Sequence, residues 1–548
     1  MRSSMDALET DVVIAGAGPV GLTLALALET RGTRATVIES KTEPASTSRA
    51  LAVWSRTLEH FASLGLDVAH ATSVALPVCG AHIYSHDGVR ARALTEIAFD
   101  DAPSQHGMGV YMPQPQTERL LLDACQARGI EIHRGHTLKS VFDRGDTTEC
   151  VVAGEGGDRI VRAAFAVGCD GAHSTVRHGM RAEFQGKAVD ERFVLADLKL
   201  DFGDAPGREV LRIIWHEAGV VAFIPVRAGV WRAIANTGSA PETGSRDVSY
   251  PEVRALLEQR ARGVLPDGVL PEKAEWLSEF RVQERVATRF REGRIILAGD
   301  AAHVHSPVGG QGMNAGIEDA MNLAWKLDLV RSGLAGATLV DTYDAERRAA
   351  VSRTVRSTAV ALRLALGRPR ALARLRNLVV PLLLRSHGVR DRLRDSVSQL
   401  SLSYARGVLA RDSTRAGKLR AGMRFPNLVA VDEFGAPRPL QGELTYKRFV
   451  ALGWEDANAS GGAFSAVQSI LTALPERLRA QTQSLLLTSA AQSTGGVSML
   501  LDPTGAAVAG LGAGSGGLLV RPDGYIAVVS HGGDARGVRE FLRAASLS

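Results

Sequence analysis

This chain of 548 residues is predicted to be an α/β protein: a parallel, helix-covered sheet, a second sheet of alternating strands set into it, and a smaller C-terminal domain. The first sign is the apolar, β-branched run Asp11-Val12-Val13-Ile14-Ala15, which passes through Gly16-Ala17-Gly18-Pro19-Val20-Gly21 into a helical run over 22–28. A strand buried on both faces reads as such an unbroken apolar stretch. Two later strands, Ala166-Val167-Gly168-Cys169 and Arg294-Ile295-Ile296-Leu297-Ala298, end in similar turns, at Asp170-Gly171 and Gly299-Asp300. Between them the pattern changes. Residues 181–280 carry alternating runs such as Leu211-Arg212-Ile213-Ile214-Trp215 and Val220-Val221-Ala222-Phe223-Ile224-Pro225, as expected of an antiparallel sheet with one solvated face.

Each element then has a mechanical reading. Gly16 permits the tight turn, Gly18 lets a pyrophosphate approach the backbone, and Gly21 lets the helix pack on the strand. The free N–H groups and positive dipole end of that helix suit phosphate. A second strand, over 35–38, leads to Glu39, 18 residues beyond Gly21, where a carboxylate can accept hydrogen bonds from an adenosine ribose. This unit does not separate NAD from FAD, but the Gly299-Asp300 turn does. It is followed by Pro307-Val308-Gly309-Gly310-Gln311-Gly312-Met313-Asn314 and by a helix over 315–330, with Ile317, Ala320, Met321, Ala324 and Leu327 at helical spacing. That layout sets Asp300 beside a ribityl chain and aims the helix N-terminus at a flavin ring, whose reduced form is anionic.

Together these motifs resemble the FAD-dependent aromatic hydroxylases, flavoprotein monooxygenases with a para-hydroxybenzoate hydroxylase-like fold. The resemblance implies a Rossmann-like FAD-binding domain, a β-sheet substrate domain roofing the flavin, and a thioredoxin-like C-terminal domain. It places FAD against Gly16, Ala17, Gly18, Pro19, Val20, Gly21, Glu39, Asp170 and Asp300. Arg49 and Gln116 are further expected contacts, and Pro307, Gly310, Gly312, Met313 and Asn314 belong to the flavin-ring loop. Arg177 is expected as a charged partner near the nicotinamide donor. Arg119 reads equally as an FAD contact or a solvated charge, and Arg56 as a surface-helix residue.

Composition fits a large globular enzyme: 45% hydrophobic, 22% charged and net +5. Much of the positive excess lies in Arg347, Arg348, Arg353, Arg356, Arg363, Arg368, Arg370, Arg374, Arg376, Arg385, Arg390, Arg392 and Arg394, read as a solvated helix face rather than a nucleic-acid surface. No signal peptide or membrane-length apolar span is recognised. Cys79, Cys125, Cys150 and Cys169 form no CxxC pair, which fits a reducing cytoplasm.

The expected division is FAD domain over 1–180, substrate sheet over 181–280, FAD domain and helical connection over 281–422, and C-terminal domain over 423–548. The landmark of the last is Val520-Arg521-Pro522-Asp523-Gly524-Tyr525; no cysteine follows Cys169, so it cannot do thiol chemistry. Gly512-Ala513-Gly514-Ser515-Gly516-Gly517 opens onto a strand and is not read as a second dinucleotide site.

A single FAD unit, no active disulfide and no halogenase signature leave a monooxygenase visited by NADPH or NADH. The implied mechanism is transfer of one oxygen atom of O2 from a flavin C4a-hydroperoxide to a phenolic or polycyclic polyketide-like ring. Baeyer–Villiger insertion into a polycyclic ketone and FAD binding without turnover are the alternatives. Metal is not expected, no catalytic acid–base residue is demanded, and His303 and His305 are read as structural. Trp215, Phe223 and Trp231 could line the substrate pocket or fill the sheet core. The expected state is monomer or homodimer, with no nucleic-acid or membrane partner.

Overall fold

The computed structural model describes residues 8–547 apart from 46, 49, 100, 240–247, 368–369, 413–418, 433, 457–460, 490–496 and 532–533. Its first sheet has the parallel order Ile295–Leu297, Gly157–Gly168, Leu8–Ala15, Ala35–Glu39, Glu131–Arg134. The β-branched run of the first strand is sealed because Val12, Val13 and Ile14 lie between two strands and under helices. Helix Pro19–Thr30 packs between the sheet and helices Gln114–Ala127 and Gly312–Arg331. Its residues from Gly21 to Leu28 are all buried, which explains a helix with no polar face.

The second sheet runs His303–Val304, Trp276–Ala287, Phe184–Lys199, Val230–Ser239, Gly219–Arg227, Leu211–His216, Gly80–His86, Ala91–Ala98. Two expectations need correction here. The sheet is mixed, not antiparallel, since Gly80–His86 pairs parallel to Leu211–His216. Nor is one face solvated. Val194, Leu198, Val221, Phe223 and Trp231 lie in a core shared with Val253 and Leu257 of helix Tyr250–Arg260. The opposite set, with Phe193, Trp215, Val220 and Phe280, meets Leu362, Leu366 and Leu384 from the helical arm. Alternation is present, but both alternating sets are apolar because each face has its own cover.

That arm comprises helices Thr338–Leu366, Arg370–Leu383 and His387–Val397. Seven of its arginines (Arg348, Arg353, Arg356, Arg363, Arg374, Arg385 and Arg392) are exposed, as expected of a solvated face. Arg347, Arg376 and Arg394 are not, and correct that reading. Arg347 reaches Asp319 and Tyr404, Arg376 donates to the carbonyls of Leu364 and Ala365 above Trp215, and Arg394 pairs with Asp101. Arg368 lies outside the described residues.

In the C-terminal domain, Phe449–Glu455 runs parallel to Thr482–Thr488, which is parallel to Ser498–Leu501; Ser515–Val520 and Ile526–His531 complete the other side antiparallel. Helices Gly462–Ala473 and Arg536–Ala544 pack on this thioredoxin-like sheet. The glycine-rich stretch at 512–517 runs directly into strand Ser515–Val520.

Candidate functional site

The three turn motifs meet at the carboxyl ends of adjacent strands. Cys169 N donates to Ala15 O at 2.7 Å, and Ala298 N donates to Gly168 O at 2.9 Å. In open α/β sheets ligands occupy the crevice just outside those ends.

At the first motif the glycines are sterically required. Gly16 has φ 103°, and a Cβ there would stand 2.4 Å from Cys169 O; at Gly21 it would stand 2.0 Å from Gly16 O. Gly18, the N-cap of helix Pro19–Thr30, has nothing within 4 Å of that position, so the turn is open where the helix amides point. This open cradle fits the pyrophosphate of FAD. Val20 is wedged against the next motif: Cβ atoms at Gly299 and Gly316 would come within 2.9 and 2.5 Å of its Cγ2. Glu39 Oε2 accepts from Ala17 N at 2.8 Å and Oε1 from Lys41 N at 2.9 Å, so this carboxylate also braces the turn.

Asp170 Oδ2 accepts from Thr175 N and Val176 N at the start of helix Thr175–Gly179, whereas its buried Oδ1 has no partner among the described residues. Arg177 is turned inward. It donates to Ala301 O at 3.0 Å and Ala172 O at 2.7 Å and stacks on Phe184, so it ties the second motif to the third. Beside it lies a cavity of about 500 Å³ lined by His173, His178, Gln283 and Arg285. The buried Gln283 Oε1 and Arg285 Nε have no partners among the described residues.

Asp300 is exposed in the turn Gly299–Ala301. That turn is fixed by Asp319, which the sequence reading missed. Its Oδ2 accepts from Gly299 N at 2.9 Å and lies 2.7 Å from His303 Nε2, while Oδ1 accepts from Arg347 at 2.7 Å. His303 is spent on this contact. His305 uses Nδ1 on Ser306 O, and burial together with neighbouring His303 lowers its pKa to about 4, so it is neutral at physiological pH.

Asn314 shapes the segment over 307–314 from inside. Its Oδ1 accepts from Trp54 N at 2.9 Å and Thr57 Oγ1 at 2.7 Å, and its Nδ2 donates to Ala52 O and Gly310 O. Trp54 Nε1 donates to Gly309 O and Gly310 O. Nothing in the spacing of the sequence points to Trp54. Pro307 is exposed, Met313 packs on the main core, and a Cβ at Gly312 would meet open space.

Gln116 is exposed on helix Gln114–Ala127 and lines a cavity of about 1030 Å³ with Phe99, Met108, Tyr111, Cys79 and Val226. Arg119 on the same helix pairs with exposed Asp123 at 2.8 Å, the solvated alternative. Arg49 lies outside the described residues. Phe223 and Trp231 belong to the core behind the second sheet, under helix Tyr250–Arg260, and only Trp215 faces the arm. Arg56 corrects its surface reading most sharply: it is 2% exposed and ion-paired with Glu59 and Glu318.

One dinucleotide fold with an open phosphate turn, roofed by a second sheet, defines the single-site flavoproteins. A family model described as FAD binding domain matches residues 9–358, and the chain belongs to this family, the FAD-dependent aromatic hydroxylases. The 6-methylpretetramide 4-monooxygenase of Streptomyces rimosus is 35% identical over 549 residues, covering 94% of this chain and 90% of that protein. The solved structure of OxyS anhydrotetracycline hydroxylase from Streptomyces rimosus matches with TM-score 0.75 and 31% identity, over 98% of this chain and 99% of that one. The Diels-Alderase PyrE3, from the pyrroindomycin pathway, matches with TM-score 0.72 and 28% identity, over 98% and 100% of the two chains. No described helix is long and apolar enough to cross a membrane, and the described residues contain no metal-ligating cluster.

Proposed function

We propose that this protein consumes NADPH or NADH to insert one oxygen atom of O2 into a phenolic, polycyclic polyketide-type substrate. The observation that carries the proposal is the convergence of the three motifs at the carboxyl ends of adjacent strands, with the second sheet joined to the third motif through His303–Val304 and its Phe193 and Trp215 in one apolar cluster with Val308. Bound FAD supplies the electron storage and O2 activation. The chain's own groups do the rest. Gly18 and the start of helix Pro19–Thr30 hold phosphate, Asp300 accepts from the ribityl hydroxyls, and the amides at the start of helix Gly312–Arg331 face developing negative charge. Phe193, Ile213 and Trp215 exclude water on the roof side. The nicotinamide donor is assigned to the side of Arg177, His173 and Arg285.

The likeness to a Diels-Alderase favours one second reading, FAD binding without oxygen transfer. Labelled O2 separates the two. A polycyclic phenol should accelerate NAD(P)H oxidation, and the product should carry one labelled oxygen atom. Consumption indifferent to substrate, with no label in the product, would leave the second reading standing. A labelled lactone would indicate Baeyer–Villiger insertion instead.

A further inference from the structure

Helix Gly312–Arg331 carries the flavin-loop segment at its N-terminus, and its flank is gripped by the C-terminal domain. We infer that the turn over 521–525 of that domain positions the flavin loop, acting through Arg56 and Glu318. The inference rests on the assignment of 307–314 to the flavin ring.

Arg56 follows Trp54 by two residues, at the start of helix Ser55–Ser63, and each part of its guanidinium is engaged. Nε donates to Glu318 Oε1 at 3.0 Å, Nη1 to Glu59 Oε2 at 3.1 Å, and Nη2 to the carbonyl of Asp523 at 2.6 Å. The Tyr525 ring lies 4.7 Å from its Cζ, and the Tyr525 hydroxyl is 3.3 Å from both oxygens of Glu318. Arg424, also from the C-terminal side, closes on Glu59 with Nε at 2.7 Å. Further along helix Gly312–Arg331, Arg521 reaches Glu346, which also holds Lys326 and Asn322. Arg56 and Glu318 neutralise each other beside Glu59 and His60, whose Nε2 lies 2.7 Å from Glu318 Oε1, and the turn completes the cluster with two neutral partners, the Asp523 carbonyl and the Tyr525 hydroxyl.

The same two helices hold the loop. Trp54 and Thr57 grip Asn314, and Glu318 stands one turn after Asn314. A buried ion pair that loses a hydrogen-bond partner keeps its mutual charge but is left with an unsatisfied polar atom, and the pair shifts or hydrates in response. Because Trp54 and Arg56 share one strand–helix junction, such a shift moves the groups that shape 307–314. Docking of the turn and ordering of the loop are then coupled, and the coupling is reciprocal.

The test uses the full chain, its FAD dissociation constant by flavin fluorescence, and the midpoint potential of the bound flavin. Arg56→Lys keeps the charge without the three-way fork, and Tyr525→Phe removes one hydroxyl in a domain far along the chain from the loop. Each should weaken FAD by about tenfold and shift the potential. The double variant should cost less than the two effects combined, because both act through Glu318. Arg119→Ala, on the surface, should change neither readout. If both variants lower the melting temperature yet keep wild-type affinity and potential, while Asn314→Ala weakens FAD, the network is packing only and the inference fails. If Asn314→Ala also binds FAD normally, the loop assignment fails first and takes the inference with it. Should Arg56→Lys not fold, Tyr525→Phe alone decides, since losing one hydroxyl leaves the core filled.

Discussion

Burial pushes the thiols of Cys125 and Cys150 up to about 12, and burial with Asp170 alongside raises Cys169 well above its ordinary value. The thiolate is the reactive form, so the buried Cys125 and Cys150 are the least reactive in the folded chain, while Cys169 is partly exposed. Cys79 is partly exposed in the wall of the larger cavity. Native-state alkylation near pH ~8, close to the ordinary thiol pKa, should therefore label Cys79 first, with Cys125 and Cys150 following only on unfolding. Peptide mapping that finds Cys125 or Cys150 labelled as fast would contradict their placement. Individual residues were legible where backbone geometry dictates their type, as at Gly16 and Gly21. Arg56 and Arg119 were not distinguishable in this way. Both sit on helical runs, and what buries Arg56 is Glu318 and Asp523, 262 and 467 residues away. Asp319 was missed because its partners come from two other segments, the turn over 299–303 and helix Thr338–Leu366.

Among the elements, strands joined to helices by glycine turns were legible because one short stretch holds the whole steric argument. The faces of the second sheet were not, because their covers come from Tyr250–Arg260 and from the arm, both distant in sequence. Alternation announces a strand but does not reveal what lies above it. The arm shows the converse limit: an arginine-rich run reads as solvated, yet one side of it must pack on the sheet. The close contact at the phosphate turn yields a sharp expectation. A methyl group at Gly21 would meet the backbone oxygen of Gly16 at 2.0 Å, with no rotamer to relieve it. Gly21→Ala should push helix Pro19–Thr30 off its strand and open the phosphate turn. The purified variant should carry little FAD by its visible absorption and melt below wild type. A yellow, fully loaded variant would mean that helix and strand do not meet as described.

Across the whole molecule, the buried ionisable groups set how stability depends on pH. Burial, with His86 beside it, lowers His216 from 6.5 to about 4, and burial with His303 does the same to His305. The unfolded chain therefore takes up these protons first, between about 6.5 and 4, and stability must fall as pH drops through that window. Glu346 adds a second stage. Burial alone would raise its carboxyl, but Arg521 and Lys326 hold it at about 2 against an ordinary 4.5. Here too the unfolded state protonates first, so further stability is lost as pH falls from about 4.5 toward 2. The melting temperature should accordingly begin to drop below about pH 6.5, before ordinary carboxylates titrate. His216 reports the first stage cleanly, because it stands beside His86 in the second sheet and not among the three turn motifs. His216→Asn keeps an acceptor for the Ala218 N–H, now bonded at 2.9 Å to Nδ1, while removing the titration. Its melting temperature should vary less than wild type between pH 7 and pH 5, a range bracketing the ordinary histidine pKa of about 6.5. Parallel slopes for variant and wild type would show that His216 is protonated as readily in the folded chain as in the unfolded one.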